Sequence, residues 1–335
     1  MNTVEARPLS PTANKGAFLR FLRKNALQIA IVFVFFAILG FFTLRVPKVF
    51  LAYDIYNSIM STTPYFAMMA IPITLVVIAK EIDLSFPSVM AFGMAAFDLV
   101  FVATGSVWLG FLACLLAGSF AGFLNGVIIT RFGIPSLVAT IGTQFFWRGV
   151  VMVLTNGQGM GMTQVQGTLL YPLFVGKIFG VIPAQFIWTI LIGVVIWFVL
   201  NRTQLGAHIY LSGDNVDSAR LMGVNVARTK IIIFTIVGLF VAFSGFVVST
   251  SLLFFWPTMG DGYLLNTLAS VFLGGTSVFG GTGTIFGTFV GAFIIALINP
   301  GIVASGWLAY WSQLIYGLII VVSVVLQAIL RKRFS

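Results

Sequence analysis

The sequence predicts an all-α protein: a polytopic membrane helix bundle of about ten transmembrane helices, built as an inverted five-plus-five pseudo-repeat. Three observations predict it. First, only 8% of the 335 residues are charged, 59% are hydrophobic and 35 more are glycine, where a soluble domain carries roughly 25% charge. Mean hydropathy is +1.09. So few polar residues cannot cover a soluble surface, which excludes a soluble globular enzyme, and the apolar content excludes a disordered chain. Second, the apolar runs are about 20 residues long and do not alternate in polarity, so they suit helices rather than barrel strands. Third, a glycine stripe recurs half a chain apart.

Taken in order, residues 1–25 form a polar, basic, cytoplasmic N-terminal tail, 26–330 the transmembrane domain, and 331–335 a cytoplasmic C-terminal tail. The first apolar run, 26–44, has a long basic lead and no small-residue cleavage site after it, so it is read as a span and not as a signal peptide. Further spans are expected at 59–79, 85–103, 108–129, 136–154, 185–200, 231–251, 264–279, 284–298 and 307–330. The links between the fourth and fifth spans and between the eighth and ninth are very short and bear Gly or Pro, which predicts hairpins.

Orientation follows from the basic residues in the loops. With the N-terminus inside and ten alternating spans, the cytoplasmic side receives Arg7, Lys15, Arg20, Arg23, Lys24, Lys80, Arg131, Arg202, Arg220, Arg228, Lys230, Arg331, Lys332 and Arg333. The outside receives Arg45, Lys48 and Lys177, and Arg148 falls within the fifth span. This bias supports an even number of spans with both termini inside. It also makes the +10 net charge a topology signal; no basic stripe forms for nucleic acid.

The stripes are Gly118, Gly122 and Gly126 on the fourth span and Gly283, Gly287 and Gly291 on the ninth. In halves of five spans these helices are equivalent and, five being odd, oppositely oriented. Spacing of four puts each set on one face, where another helix approaches closely. Ordinary small-residue packing without a repeat accounts for the stripes equally well; in both readings they are helix-packing devices.

The single Cys114 and single His208 make a metal centre or a Ser-His or Cys-His group an unpromising reading. The longest polar segment between spans is 201–230, on the cytoplasmic side. Asp214 or Asn215 can cap a short helix over 216–222 that Gly223 ends, with Ala219 and Met222 available to a partner. A helix this short is marginal alone, so the segment reads as a docking element.

The core of this segment, Gly213-Asp214-Asn215-x-x-Ser218-Ala219-Arg220-Leu221-x-Gly223-Val224-Asn225, resembles the coupling helix of the membrane permeases of ribose-type ABC importers for simple sugars. Ile82-Asp83-Leu84-Ser85, Asn125-Gly126-x-x-Ile129-x-Arg131 with Ile134-Pro135-x-x-Val138-x-Thr140-x-Gly142-Thr143, and the Gly-rich stretch from Gly274 to Thr288 match that family in the right order, over about residues 60 to 330. The family's glycines before Ile82 are Lys80 and Glu81 here, and the small residue after Ser85 is replaced by Phe86-Pro87.

The resemblance implies a permease that carries no cofactor itself. ATP and Mg would be bound by two ATP-binding subunits or one fused double ATPase, docked on Gly213, Asp214, Asn215, Ser218, Ala219, Arg220, Leu221 and Gly223. The other partners implied are a second permease copy or a paralogue, a periplasmic sugar-binding protein and the lipid of a bacterial inner membrane; nucleic acid is not expected. The chain contains no G-x-x-x-x-G-K-[ST] phosphate loop: Gly176-Lys177 lacks the upstream glycine and is followed by Ile178. Energy would therefore arrive from a partner.

Polar groups at membrane depth are costly and mark candidate pathway residues: Asp83, Ser85, Asp98, Asn125, Thr143, Gln144 and Thr267. Asp83 and Ser85 serve equally as caps of the third helix. Asp98 either lines the path, pairs with Arg148, or lies hydrated near the outer interface. The outer stretches 156–161, 256–257 and Asp261 are read as gate, binding-protein contact or plain loop. The alternative function is an ion-coupled secondary transporter, for which Asp98 is the only convincing candidate and His208 is cytoplasmic; no catalytic constellation supports a membrane enzyme.

Overall fold

The computed structural model describes residues 26–334. The tail 1–25, with five of the basic residues used for orientation, lies outside the described residues. In chain order the helices are α1 Ala26–Arg45, α2 Pro47–Phe50, α3 Tyr53–Thr62, α4 Pro64–Ile78, α5 Phe86–Thr104, α6 Val107–Phe132, α7 Ser136–Thr155, α8 Leu170–Phe174, α9 Ala184–Arg202, α10 Gln204–Asp214, α11 Val216–Leu221, α12 Val226–Leu252, α13 Leu264–Leu273, α14 Ile285–Ala304 and α15 Trp311–Phe334. Four two-residue strands pair as antiparallel ladders, β1 Met160–Gly161 with β4 Phe254–Phe255 and β2 Lys177–Ile178 with β3 Ile182–Pro183.

The protein is thus an all-α membrane bundle, with a correction to the count. Among the described residues, eight helices are long and apolar enough to cross a membrane, and α3 with α4, bent by 48°, makes a ninth. The bend has a local cause: Pro64 starts α4 at its first helical position, where its missing N–H costs nothing. The expected span 264–279 is instead the ten-residue α13. Gly274 and Gly275 end it, because glycine pays a large backbone entropy in a helix, and the apolar stretch beyond is loop. The last helix runs to Phe334, so 331–334 are not a separate tail.

Every residue of α4 is buried, as expected for a helix apolar on all sides placed at the centre of a bundle. Around it lie α9, α10, α12, α13 and α14. The first glycine stripe faces α12: a Cβ at Gly118 would overlap Gly238 O and Ala242 Cβ, and one at Gly122 would overlap Phe234 O. The second stripe faces α13, where Gly287 lies against Gly274 O and Gly291 against Ser270 O. Gly283, expected on the same helix, lies instead in the link before α14 and faces the side chains of Thr276 and Ile78; the remaining glycines make close backbone packings, with a helix of the other half in one case and the adjacent helix in the other.

The chain reversals gather at two ends. Residues 79–85, 133–135, 203–225 and 274–284 share one, hereafter the basic end, since Lys80, Arg131, Arg202, Arg220, Arg228 and Lys230 lie there. Contacts tie them together: Gly281 N donates to Ile78 O (2.9 Å), Ile82 N to Ser136 Oγ (3.0 Å) and the Tyr210 hydroxyl to Gly283 O (2.9 Å). The opposite end joins 46–52 with 156–183 and 253–263, through Tyr53 OH to Val181 O (2.6 Å) and the β1–β4 pair.

Candidate functional site

The segment 201–230 is not a loop. It is two helices, α10 and α11, between the ends of α9 and α12. Thr203 caps α10 by accepting from Gly206 N (3.4 Å). Asn215 caps α11 by accepting from Ser218 N (2.9 Å), so the cap is Asn215 and not Asp214. Gly223 follows with φ +83, the left-handed turn that ends a helix and favours glycine. Ala219 is fully buried against Leu211, Val216, Val224 and Val226. Contrary to the expectation from sequence, it is therefore not available to a partner; it is the small residue that lets α11 lie against its own supports. What α11 presents outward is Leu221, 91% exposed, with Met222, Ser218 and Arg220, whose guanidinium pairs with Asp217 at 3.4 Å.

Behind α11, the C-terminal end of α10 is wedged into the bundle by backbone contact. A Cβ at Gly213 would overlap Ile78 O and come within 2.8 Å of Gly281 N. Gly281 itself packs on Asp214, and Gly280 lies between Gly213 O and Lys80. Three chain segments thus touch with no side chain between them: the end of α10, the end of α4 and the Gly-rich link 274–284. Tyr210 adds its hydroxyl to Gly283 O, and burial pushes this phenol above its ordinary pKa, so it stays a donor.

The helix end at Ile78 also resolves the departures at Lys80 and Glu81. Lys80 has φ +63, and Glu81 N reaches back to Val76 O (3.0 Å), the backbone shape that a glycine adopts after a helix. Lysine holds the same turn at some strain. Glu81 pairs with Lys230 at the start of α12, both side chains largely buried. From there 82–84 runs along α7: Ile82 N donates to Ser136 Oγ (3.0 Å), Leu84 N to Thr140 Oγ1 (3.1 Å), and Thr140 Oγ1 back to Ile82 O (3.2 Å).

The candidate pathway residues fall into separate groups. Asp83, Ser85 and Asn125 form one buried network: Ser85 N and Oγ donate to Asp83 Oδ1 (2.8 and 2.6 Å), and Asn125 Nδ2 donates to Ser85 Oγ (2.7 Å). They hold the start of α5 against α6. Thr143 and Gln144 are half-buried on α7, and Thr143 Oγ1 bonds Thr140 O at 3.4 Å. Thr267 is fully buried in α13. Asp98 is half-buried on α5 and does not pair with Arg148. Arg148 is occupied elsewhere: it pairs with Asp261 (2.5 Å) and donates to Pro257 O and to Met259 O (3.1 Å). The loop 256–261 folds back under α7, which no spacing in the sequence reveals.

That loop is the key to the opposite end. Gly260, φ +98, packs on the Pro87 backbone at the start of α5. Beside it opens a cleft of about 440 Å³ with Asp261, Asn266, Asn299 and Gln313 in its walls. Sequence reasoning missed these carboxamides, although Asn299 and Gln313 stand out as polar residues at the ends of apolar runs. Among the described residues no group of His, Cys, Asp and Glu could hold a metal ion.

Comparison with known proteins adds the following. Residues 55–324 match the model of the family described as branched-chain amino acid transport system / permease component. The chain is 33% identical to the ribose import permease protein of Escherichia coli (strain K12) over 286 residues, covering 84% of this chain and 87% of the relative. It is 30% identical to the autoinducer 2 import system permease protein of Yersinia pestis (strain Pestoides F) over 316 residues, covering 93% and 88%. No solved structure matches the chain.

Proposed function

The chain belongs to the family of ABC importer permeases for simple sugars, and from that premise we propose that it is the membrane subunit of an ATP-driven importer for a neutral sugar or polyol, of the ribose or furanoside kind its relatives are named for. The basic end is the cytoplasmic face of a bacterial inner membrane; the short α13 and the link 274–284 carry the chain from the opposite end to it as a tenth pass, so both chain termini lie there. An ATPase pair, carrying ATP and Mg, docks on α11 of each of two permease copies; a periplasmic binding protein delivers sugar at the opposite end.

One observation carries this reading. The helix α11 exposes Leu221 and Met222 while its base is locked by backbone contact to α4 and to the Gly-rich link. An exposed apolar tip on a rigid base suits a partner that pushes. A displacement of α11 has no flexible side chain to absorb it before it reaches the central helix, because packed interiors transmit strain. Two packings of these helices, biased by the nucleotide state of the partner, then expose the path to one side or the other.

The test is association and uptake in proteoliposomes containing the permease, its ATPase and its binding protein. Arg220→Glu or Leu221→Asp should abolish ATPase association while membrane insertion and thermal unfolding of the permease stay unchanged. Uptake driven by an ion gradient with no ATPase present would overturn the reading.

A further inference from the structure

The cleft at the opposite end is built from three elements: the irregular turn and first residues of α13, the last turns of α14, and the first two turns of α15. Asp261, Asn266, Asn299, Tyr310, Ser312 and Gln313 line it. Three carboxamides gather within a few turns in a chain so poor in polar groups; Asn299 and Gln313 are exposed and Asn266 is half-buried, so their amides are open to a ligand entering the cleft. The only side-chain bond among them is from the buried Ser312 hydroxyl to Asn299 Oδ1 (3.2 Å). It orients Asn299 and leaves its Nδ2, and the side chains of Asn266 and Gln313, without a protein partner among the described residues.

The charge of the cleft narrows the ligand. Its one ionised group, Asp261, is already paired with Arg148, so no net charge faces the opening. An amino acid would need fixed partners for its ammonium and carboxylate, and an anion would need a free cation; the lining offers neither. Carboxamides both donate and accept, which is what a hydroxyl also does, so converging Asn and Gln side chains suit a polyol. Tyr310, 63% exposed, adds a ring face for the C–H side of a sugar. The volume, about 440 Å³, is in the range of small-molecule sites.

We propose that this cleft is the subsite where the permease first accepts a neutral monosaccharide or polyol; the proposal rests on the importer reading above. Its placement connects it to the bundle. Asp261 continues through Arg148 to the carbonyls of Pro257 and Met259, and Gly260 of the same loop lies on Pro87 at the start of α5. A ligand bound at Asp261 and Asn266 therefore bears on the loop that packs on the start of α5.

The experiment uses the complete importer in proteoliposomes. The chain's single cysteine, Cys114, is buried, so an Ala309→Cys variant places one reactive thiol at the rim of the cleft. A membrane-impermeant maleimide is applied from the binding-protein side, with D-ribose, D-xylose, D-glucose, myo-inositol or leucine as competitor. Expected are rapid labelling, slowing by about tenfold with at least one of the sugars or inositol, and none with leucine. Adding Gln313→Ala and Asn266→Ala should remove the protection and lower ATP-driven uptake of the same sugar by about tenfold, the loss expected for one or two hydrogen bonds. No labelling from that side, labelling that no polyol slows, or equal slowing by leucine overturns the proposal. Uptake separates the two readings: a wild-type importer that takes up none of these sugars with ATP refutes the function, while the protection result still decides the cleft.

Discussion

The two ends of the bundle are built on opposite plans. At the basic end, segments meet backbone to backbone: Gly213 on Ile78 O, Gly281 on Asp214, Gly280 on Gly213 O. Charges there are paired across elements, Glu81 with Lys230. At the opposite end, polar side chains stand off from one another around an open cleft, and one arginine holds the neighbouring loop by two carbonyls and an acid. The difference teaches what each end can do. Backbone contact leaves no slack, which suits the displacement proposed for the basic end; side chains around a void can rearrange, which suits the ligand proposed for the opposite end.

Substitutions test that contrast, from the largest effect to the smallest. Gly213→Val puts a branched side chain where Ile78 O and Gly281 N already sit. Neither backbone atom can yield, so the loss should be about 3 kcal/mol or more, read as loss of monodisperse protein and of uptake. Retention of both would break the picture of a rigid junction. Lys230→Met strands Glu81 in a largely buried site and should cost about 3 kcal/mol in denaturant unfolding. Exchanging the pair, Glu81→Lys with Lys230→Glu, should recover part of it.

At the opposite end, Arg148→Lys keeps the charge but loses the fork that reaches Pro257 O, Met259 O and Asp261 together. About 1–2 kcal/mol should be lost, with proteolysis in the 256–261 loop rising more than global unfolding does. Smallest is Lys80→Gly. It relieves the left-handed strain of a lysine at φ +63 but adds freedom to the unfolded chain, so a net gain of about 0.5 kcal/mol is expected in the same unfolding assay. A loss would mean that the Lys80 side chain supports the junction beyond its backbone.

Much of this architecture was legible in the residues. Composition and run length announce a helical membrane bundle, since lipid admits only segments that satisfy their own backbone. Eight of the expected spans match membrane-length helices to within a few residues, and the ninth is the bent pair. The Gly223 terminator was readable, and the cap was narrowed to Asp214 or Asn215, because capping is local chemistry, decided by the residue and its next three neighbours. The short α13 was misread because an apolar run does not distinguish helix from Gly-rich loop. The pairing of Arg148 was misread because its partner lies 113 positions away in sequence and no pattern links them.

By itself, then, the sequence determined the membrane class, most of the spans, the Gly223 end of α11 and the family motifs, all of which depend on a window of neighbouring residues. Only the tertiary structure decided which segments touch. It buried Ala219, seated Gly213 on the end of α4, gave Arg148 to Asp261 rather than to Asp98, and drew Asn266, Asn299 and Gln313 to one cleft. The physical reason is that local propensity acts over a turn or two of chain. A site made of contacts between distant helices exists only once the helices have packed.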